Sequence, residues 1–161
     1  FQSGAELIGA FANNRFKSGT YKETDLLGNY SVTITDYKIE DAVIQLNSGV
    51  LYEGEFDGTY INGKGSITYA NGDQYTGSFI EGKRNGQGAY TWKTGEKYSG
   101  NWVNDSMEGE GVYYYRSSDP GLKIDGHFAN NMPDGFCQYY SSESQSYKTT
   151  WKNGKCVKVY E

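Results

Sequence analysis

Through the middle of the chain, aromatic residues and glycines alternate with polar residues at every second position. From Tyr75 to Trp92, one file is formed by Tyr75, Gly77 and Phe79 and a second by Gly88, Tyr90 and Trp92, while Thr76, Ser78, Gln87 and Thr91 occupy the positions between. A period of two marks a half-buried strand. The stretch therefore predicts two antiparallel strands joined by the Gly- and Asn-rich loop 80–86,.

The same alternation returns at a fixed interval. The pattern aromatic-x-Gly-x-aromatic, in exact or partial form, starts at 52 ("YEGEF"), 75 ("YTGSF"), 98 ("YSGNW"), 124 ("IDGHF") and 147 ("YKTTW"), spaced by 23, 23, 26 and 23 residues. Three extra residues in the loop "RSSDPGLK" account for the longer interval. Gly63, Gly86, Gly109 and Gly135 follow the first four starts by eleven residues, and Gly65, Gly88 and Gly111 follow by thirteen, with Cys137 in the fourth such place. Weaker echoes, "LIGAF" and "LLGNY", lie upstream. A period of 20 to 50 residues signals a repeat array whose terminal units are atypical caps. Residues 51–161 are read as the array and 1–50 as degenerate repeats or capping strands, because "YSVTITDYKIEDAVIQL" is richer in β-branched aliphatics and lacks the paired glycines.

The segments "YEGEF…NGKGSITYANGD", "YTGSF…NGQGAYTWKTGE" and "YSGNW…EGEGVYYY" resemble MORN repeats (membrane occupation and recognition nexus), with the pattern Y-x-G-x-W/F, a turn, then G-x-G-x-Y/F. The match is specific over 52–115, fair over 124–154 and weak before 50. Aromatic and glycine-rich choline-binding repeats have a similar composition, but their tryptophan-led spacing fits less well. The resemblance implies a non-catalytic module for protein–protein scaffolding, with phospholipid contact as a further association of the family.

The expected fold is all-β: an elongated, single-layer antiparallel β-meander of successive hairpins, two strands to a unit, or 14 strands for seven units. Glycine weakens a strand by about 0.5–1 kcal/mol, so its recurrence needs a compensating contact. If a long loop closes each hairpin symmetrically, Gly77 and Gly100 flank Tyr90, and Phe79 and Trp102 flank Gly88. Rings and glycines would then form a chequerboard, with Gly54, Gly65, Gly77, Gly88, Gly100, Gly111 and Gly126 as the structural glycines. Aromatic burial at about 25 cal/mol per Å² would offset the glycine penalty. The opposite face, with Glu53, Glu55, Thr76, Ser78, Gln87 and Thr91, should be wet.

Composition supports this reading. Of 161 residues, 16 are Tyr, 7 Phe, 3 Trp and 22 Gly, with only 2 Pro. Closely spaced hairpins suit that mixture, and helices should be scarce. A net charge of −5 argues against nucleic acid and makes anionic lipid the least favoured partner,. Lys83-Arg84 is the one adjacent basic pair in the clear repeats. No apolar run reaches the length of a transmembrane helix. The chain begins at Phe1 without Met, which leaves room for a signal or anchor upstream, so the compartment is unknown.

Candidate chemistry is sparse. A single histidine, His127, excludes multi-histidine metal sites, and its place between Gly126 and Phe128 turns it to the polar face, away from Cys137,. Asp73 and Glu96 sit in glycine-containing loops without the acidic spacing of a calcium loop,. Catalytic residues, metal and cofactor are therefore all expected to be none. Cys137 and Cys156 are expected to remain unbridged, with Trp151 on the strand between them,. The binding residues expected on the unbacked aromatic face are Tyr75, Tyr90, Trp92, Tyr98, Trp102, Tyr113 and Tyr115,. Their partner would be a protein or a second copy first, a glycan second and an anionic lipid third.

Overall fold

The computed structural model describes residues 5–24, 26–119 and 121–160. Every regular element among them is a strand: β1 (Glu6–Ala12), β2 (Arg15–Thr24), β3 (Gly28–Thr35), β4 (Lys38–Leu46), β5 (Leu51–Phe56), β6 (Ile61–Thr68), β7 (Gln74–Ile80), β8 (Lys83–Thr91), β9 (Lys97–Val103), β10 (Ser106–Tyr114), β11 (Lys123–Ala129), β12 (Met132–Tyr140), β13 (Ser146–Lys152) and β14 (Lys155–Tyr160). These fourteen strands follow one another in chain order in an antiparallel, single-layer meander. The chain divides into two compact units, the first running to Gly72 and taking in Phe79–Gly82, the second comprising Asp73–Ser78 and the residues from Lys83 onward.

The first unit has a thin core of Val32, Ala42, Tyr52 and Phe79. Val32, Ala42, Gly54 and Gly65 are cross-strand partners in one row over β3 to β6. Small residues leave room for the Tyr52 ring, which meets Phe79 edge-on at 5.9 Å.

The hairpin tips that follow β7, β9 and β11 are shorter than the sequence suggests. The turn after β7 is Glu81-Gly82 (φ 49° and 77°), that after β9 is Asn104-Asp105 (47° and 69°), and that after β11 is Asn130-Asn131 (50° and 67°). Consecutive left-handed residues make the type I′ turn, whose twist matches the flanking strands. The expected loop 80–86 is therefore mostly strand, since β8 begins at Lys83. The glycine eleven residues into each unit lies in a bulge: Gly109 has φ 72°, and the register of β9 and β10 jumps between Met107 and Gly111,.

Within a hairpin the short turn and the bulge together shift the register by two residues from the expected one, and the turn 92–96 between hairpins shifts it by two as well. Gly100 pairs with Gly88 on one side and Gly111 on the other, while Tyr98 pairs with Tyr90 and Tyr113. The chequerboard is thus replaced by parallel files, glycine beside glycine and tyrosine beside tyrosine. Each core tyrosine lies along its own strand over a glycine pair. A Cβ on Gly111 would fall 2.3 Å from the Tyr98 hydroxyl oxygen, and one on Gly100 would fall 2.6 Å from it. The hydroxyl then donates to the carbonyl of Asn101 at 3.1 Å, and Tyr75 repeats the arrangement with Ser78 at 3.0 Å. Glycine supplies a bed for a ring of its own hairpin, and the ring covers the bare backbone.

These beds give a pH signature. Burial, with Glu55 near Tyr52 and Glu108 near Tyr98, pushes both phenols up to about 12. A raised phenol pKa stabilises the fold while the unfolded phenol stays protonated, and the benefit is lost as pH rises from about 10 through 12. The phenolate absorbance of Tyr52 and Tyr98 should therefore appear only near 12, together with unfolding. A single step near 10 without loss of structure would contradict the beds.

The same register governs the cysteines. Thr149, and not Trp151, is opposite Cys137, while Trp151 is opposite Cys156. Both thiols are free; Cys137 is buried and Cys156 exposed.

A ladder of half-buried rings as the candidate functional site

The seven aromatic residues expected to bind fall into two groups. Tyr75 and Tyr98 are 0 % exposed and Trp102 is 2 %. Trp102 meets Tyr75 and Tyr98 edge-on at 5.5 and 5.4 Å, and Tyr98 meets Phe128 at 5.0 Å. These three rings form the core of the second unit and have no face free for a partner. The other four, Tyr90, Trp92, Tyr113 and Tyr115, remain half-buried.

Those four form a continuous ladder. Ring centroids are 4.7 Å apart from Tyr90 to Trp92, 5.7 Å from Trp92 to Tyr113, 5.3 Å from Tyr113 to Tyr115 and 6.4 Å from Tyr115 to Tyr139. Their order follows from register, because the tyrosine file runs across β8, β9 and β10 and each return strand ends in a second ring, Trp92 or Tyr115. Tilted and edge-on contacts of this kind fix ring orientation, each contributing about 0.5–1.5 kcal/mol beyond burial.

Acidic residues hold the ladder from below. Asp73 is buried and accepts from the Tyr90 hydroxyl at 2.7 Å and from the Lys93 amide at 2.9 Å. Glu96 takes the Thr94 hydroxyl and an ion pair from Arg116 at 3.3 Å, and Arg116 also pairs with Asp119 at 3.3 Å. Burial, with Tyr139 and Tyr113 nearby, raises Tyr115 to about 12. Asp73 and Glu96 thus act as structural acceptors, a role legible in the spacing, since Asp73, Glu96 and Asp119 recur every 23 residues.

Arg84, half of the adjacent basic pair Lys83-Arg84, is held by rings. It stacks over Trp102 at 4.3 Å, Tyr90 at 5.1 Å and Tyr75 at 5.8 Å, while its Nε donates to Asp105 at 2.9 Å. His127 is exposed, whereas Cys137 is buried with its thiol pushed up by desolvation. Among the described residues no group of three or more His, Cys, Asp or Glu could hold a metal ion.

Fold and site together define a repeat protein of stacked β-hairpins presenting one aromatic face. The MORN repeat family model matches residues 52–74, 75–97, 98–119 and 125–144, which is more than half of the chain, and the chain belongs to that family. No curated protein matches it.

Proposed function

We propose that the chain is a non-catalytic protein-binding or scaffolding module whose contact surface is the ladder Tyr90, Trp92, Tyr113 and Tyr115. The observation that carries this reading is the continuity of four half-buried rings on a face with no second layer over it. Preformed, rigid aromatic residues are the usual anchors of protein interfaces. MORN repeats occur widely in protein and membrane interactions, which agrees with the reading without choosing the partner. Lipid contact is disfavoured in the clear repeats because Arg84 is engaged by rings and by Asp105, and the exposed Lys64, Lys83, Lys93 and Lys97 include no adjacent pair. One feature favours a second reading, anionic lipid. On the opposite face Lys123 and Lys158 lie 4.3 and 4.4 Å over Tyr140 and Tyr160, beside Phe136, which is 75 % exposed.

The test compares proteins captured from a source lysate by wild type and by Trp92→Ala/Tyr113→Ala, with co-sedimentation on anionic vesicles and on polysaccharide in parallel. The double variant should keep its fold and lose its captured proteins, and neither vesicles nor polysaccharide should sediment wild type at physiological salt. Unchanged capture would remove the ladder from the interface. Salt-sensitive vesicle binding that survives the double substitution would favour the lipid reading.

A further inference from the structure

The glycine pair that beds Tyr98 is half lost in β11 and β12, where Gly126 faces Cys137, and lost altogether in the last described hairpin. In β9 and β10 the bed under Tyr98 is the pair Gly100 and Gly111; in β13 and β14 the corresponding pair is Thr149 and Val159. Tyr147, which stands where Tyr98 stands, therefore has no bed. The residue nine places into each unit also shrinks. Arg84 and Met107 hold that position in the units starting at 75 and 98, and Pro133 and Cys156 hold it in those starting at 124 and 147. The result is an open groove of about 640 Å³, lined by Tyr115, Tyr139, Tyr147 and Trp151, with Cys156 and Asp119 also on its wall. That volume is typical of a ligand site.

The molecule shows what such a set of rings accepts. Tyr90 and Trp102, which hold the Arg84 guanidinium, lie 15 and 27 residues after Tyr75, the second of them in the next unit; counted from Ile124 those places are Tyr139 and Trp151. Both rings line the groove, Pro133 stands where Arg84 would, and no Lys or Arg is among the lining residues. The faces of Tyr and Trp attract a cation; the Asp119 carboxylate on the wall is already paired with Arg116, so the attraction comes from the rings. The groove opens directly from the ladder, because Tyr115 belongs to both. A sugar is a poorer occupant, since a mostly aromatic wall would leave many of its hydroxyls unpaired.

We propose that this groove receives an arginine side chain of a protein partner, its guanidinium lying against Tyr139 and Trp151 as Arg84 lies against Tyr90 and Trp102. The proposal rests on the protein-binding reading and deepens it by naming the anchor the partner supplies.

The test titrates the full chain with a blocked Gly-Arg-Gly peptide and with the same peptide carrying citrulline, the uncharged isostere of arginine. The indole N–H resonance of Trp151, which donates to Thr149 at 2.8 Å, reports on one wall, and the alkylation rate of the exposed Cys156 reports on another. The arginine peptide should shift the resonance and slow alkylation, and citrulline should need roughly tenfold more peptide for the same effect. Trp151→Leu, which removes that resonance itself, should abolish the slowing of Cys156 alkylation. Pro133→Arg, which supplies the cation from within the chain, should abolish both responses with the fold intact. Equal binding of the two peptides, no response to either, or full binding by P133R would overturn the proposal. Failure of the peptide while Trp92→Ala/Tyr113→Ala still loses its partners would sink the groove alone. A bound peptide with unchanged partner capture by that double variant would sink the ladder alone.

Discussion

Replacing Gly100 by valine is expected to lower stability by about 3 kcal/mol, a fall in Tm on the order of 10 °C, whereas valine at the adjacent Ser99 changes little. A Cβ at Gly100 would lie 2.5 Å from the Cα of Gly111 and 2.6 Å from the Tyr98 hydroxyl oxygen. The first neighbour is backbone and cannot swing aside. The second is a ring held at 0 % exposure by its hydrogen bond to Asn101. The two branches of valine would lift that ring off its bed and open its contacts with Trp102 and Phe128. Ser99 is exposed on the other face and pairs with Ala89 and Val112, so a β-branched residue there suits a strand,. Thermal melts of the two variants decide the matter, and equal losses would show that the ring does not depend on the glycine pair.

Arg84→Ala is expected to cost about 2–3 kcal/mol, far more than loss of a surface ion pair. The arginine side chain is 18 % exposed, but its partner Asp105 is 48 % exposed, so the charge pair itself contributes modestly. Most of the effect comes from emptying the space over Trp102, Tyr90 and Tyr75. Arg84→Met should recover most of the loss, because methionine fills the equivalent position 107 and is buried there. Chemical denaturation of the three proteins, followed by near-ultraviolet circular dichroism of the ring cluster, checks this order. A methionine variant as weak as the alanine one would assign the stabilisation to charge and not to packing.

Much of this organisation was legible in the sequence because a period of two and a period of 23 are each a direct imprint of geometry. Alternation gave the strands and their faces, and recurrence gave the units starting at 52, 75 and 98, where the family model also begins its matches. Register was not legible. It depends on whether Glu81-Gly82 or the longer run to Gly86 turns the chain, and a glycine-rich segment permits both. Gly86, with φ 91°, belongs to a strand, although it looks like a turn residue. That difference of two positions moved Gly77 from beside Tyr90 to beside Gly88, and the turn 92–96 did the same for Gly100 on the other side; together they bury Tyr75, Tyr98 and Trp102, whose alternation alone suits surface rings. Once tyrosines pair with tyrosines, the first ring of each unit lies down over glycine and is buried, and the rings of the return strands are left half-open. The terminal groove was the least legible feature, because it arises where Thr149 and Val159 fail to supply a glycine pair.

The I′ turn and its companion bulge carry a consequence for how the chain acquires its structure. Within each unit every strand pairs only with strands adjacent in sequence, so the loops to be closed are short and low contact order favours rapid zipping. The bulge glycine resets the pairing in each hairpin, so a slip in one hairpin need not be passed to the next. Protection against hydrogen exchange should then fall off hairpin by hairpin from the buried Tyr98–Trp102–Phe128 cluster outward, with β13 and β14 opening well before β9 and β10,.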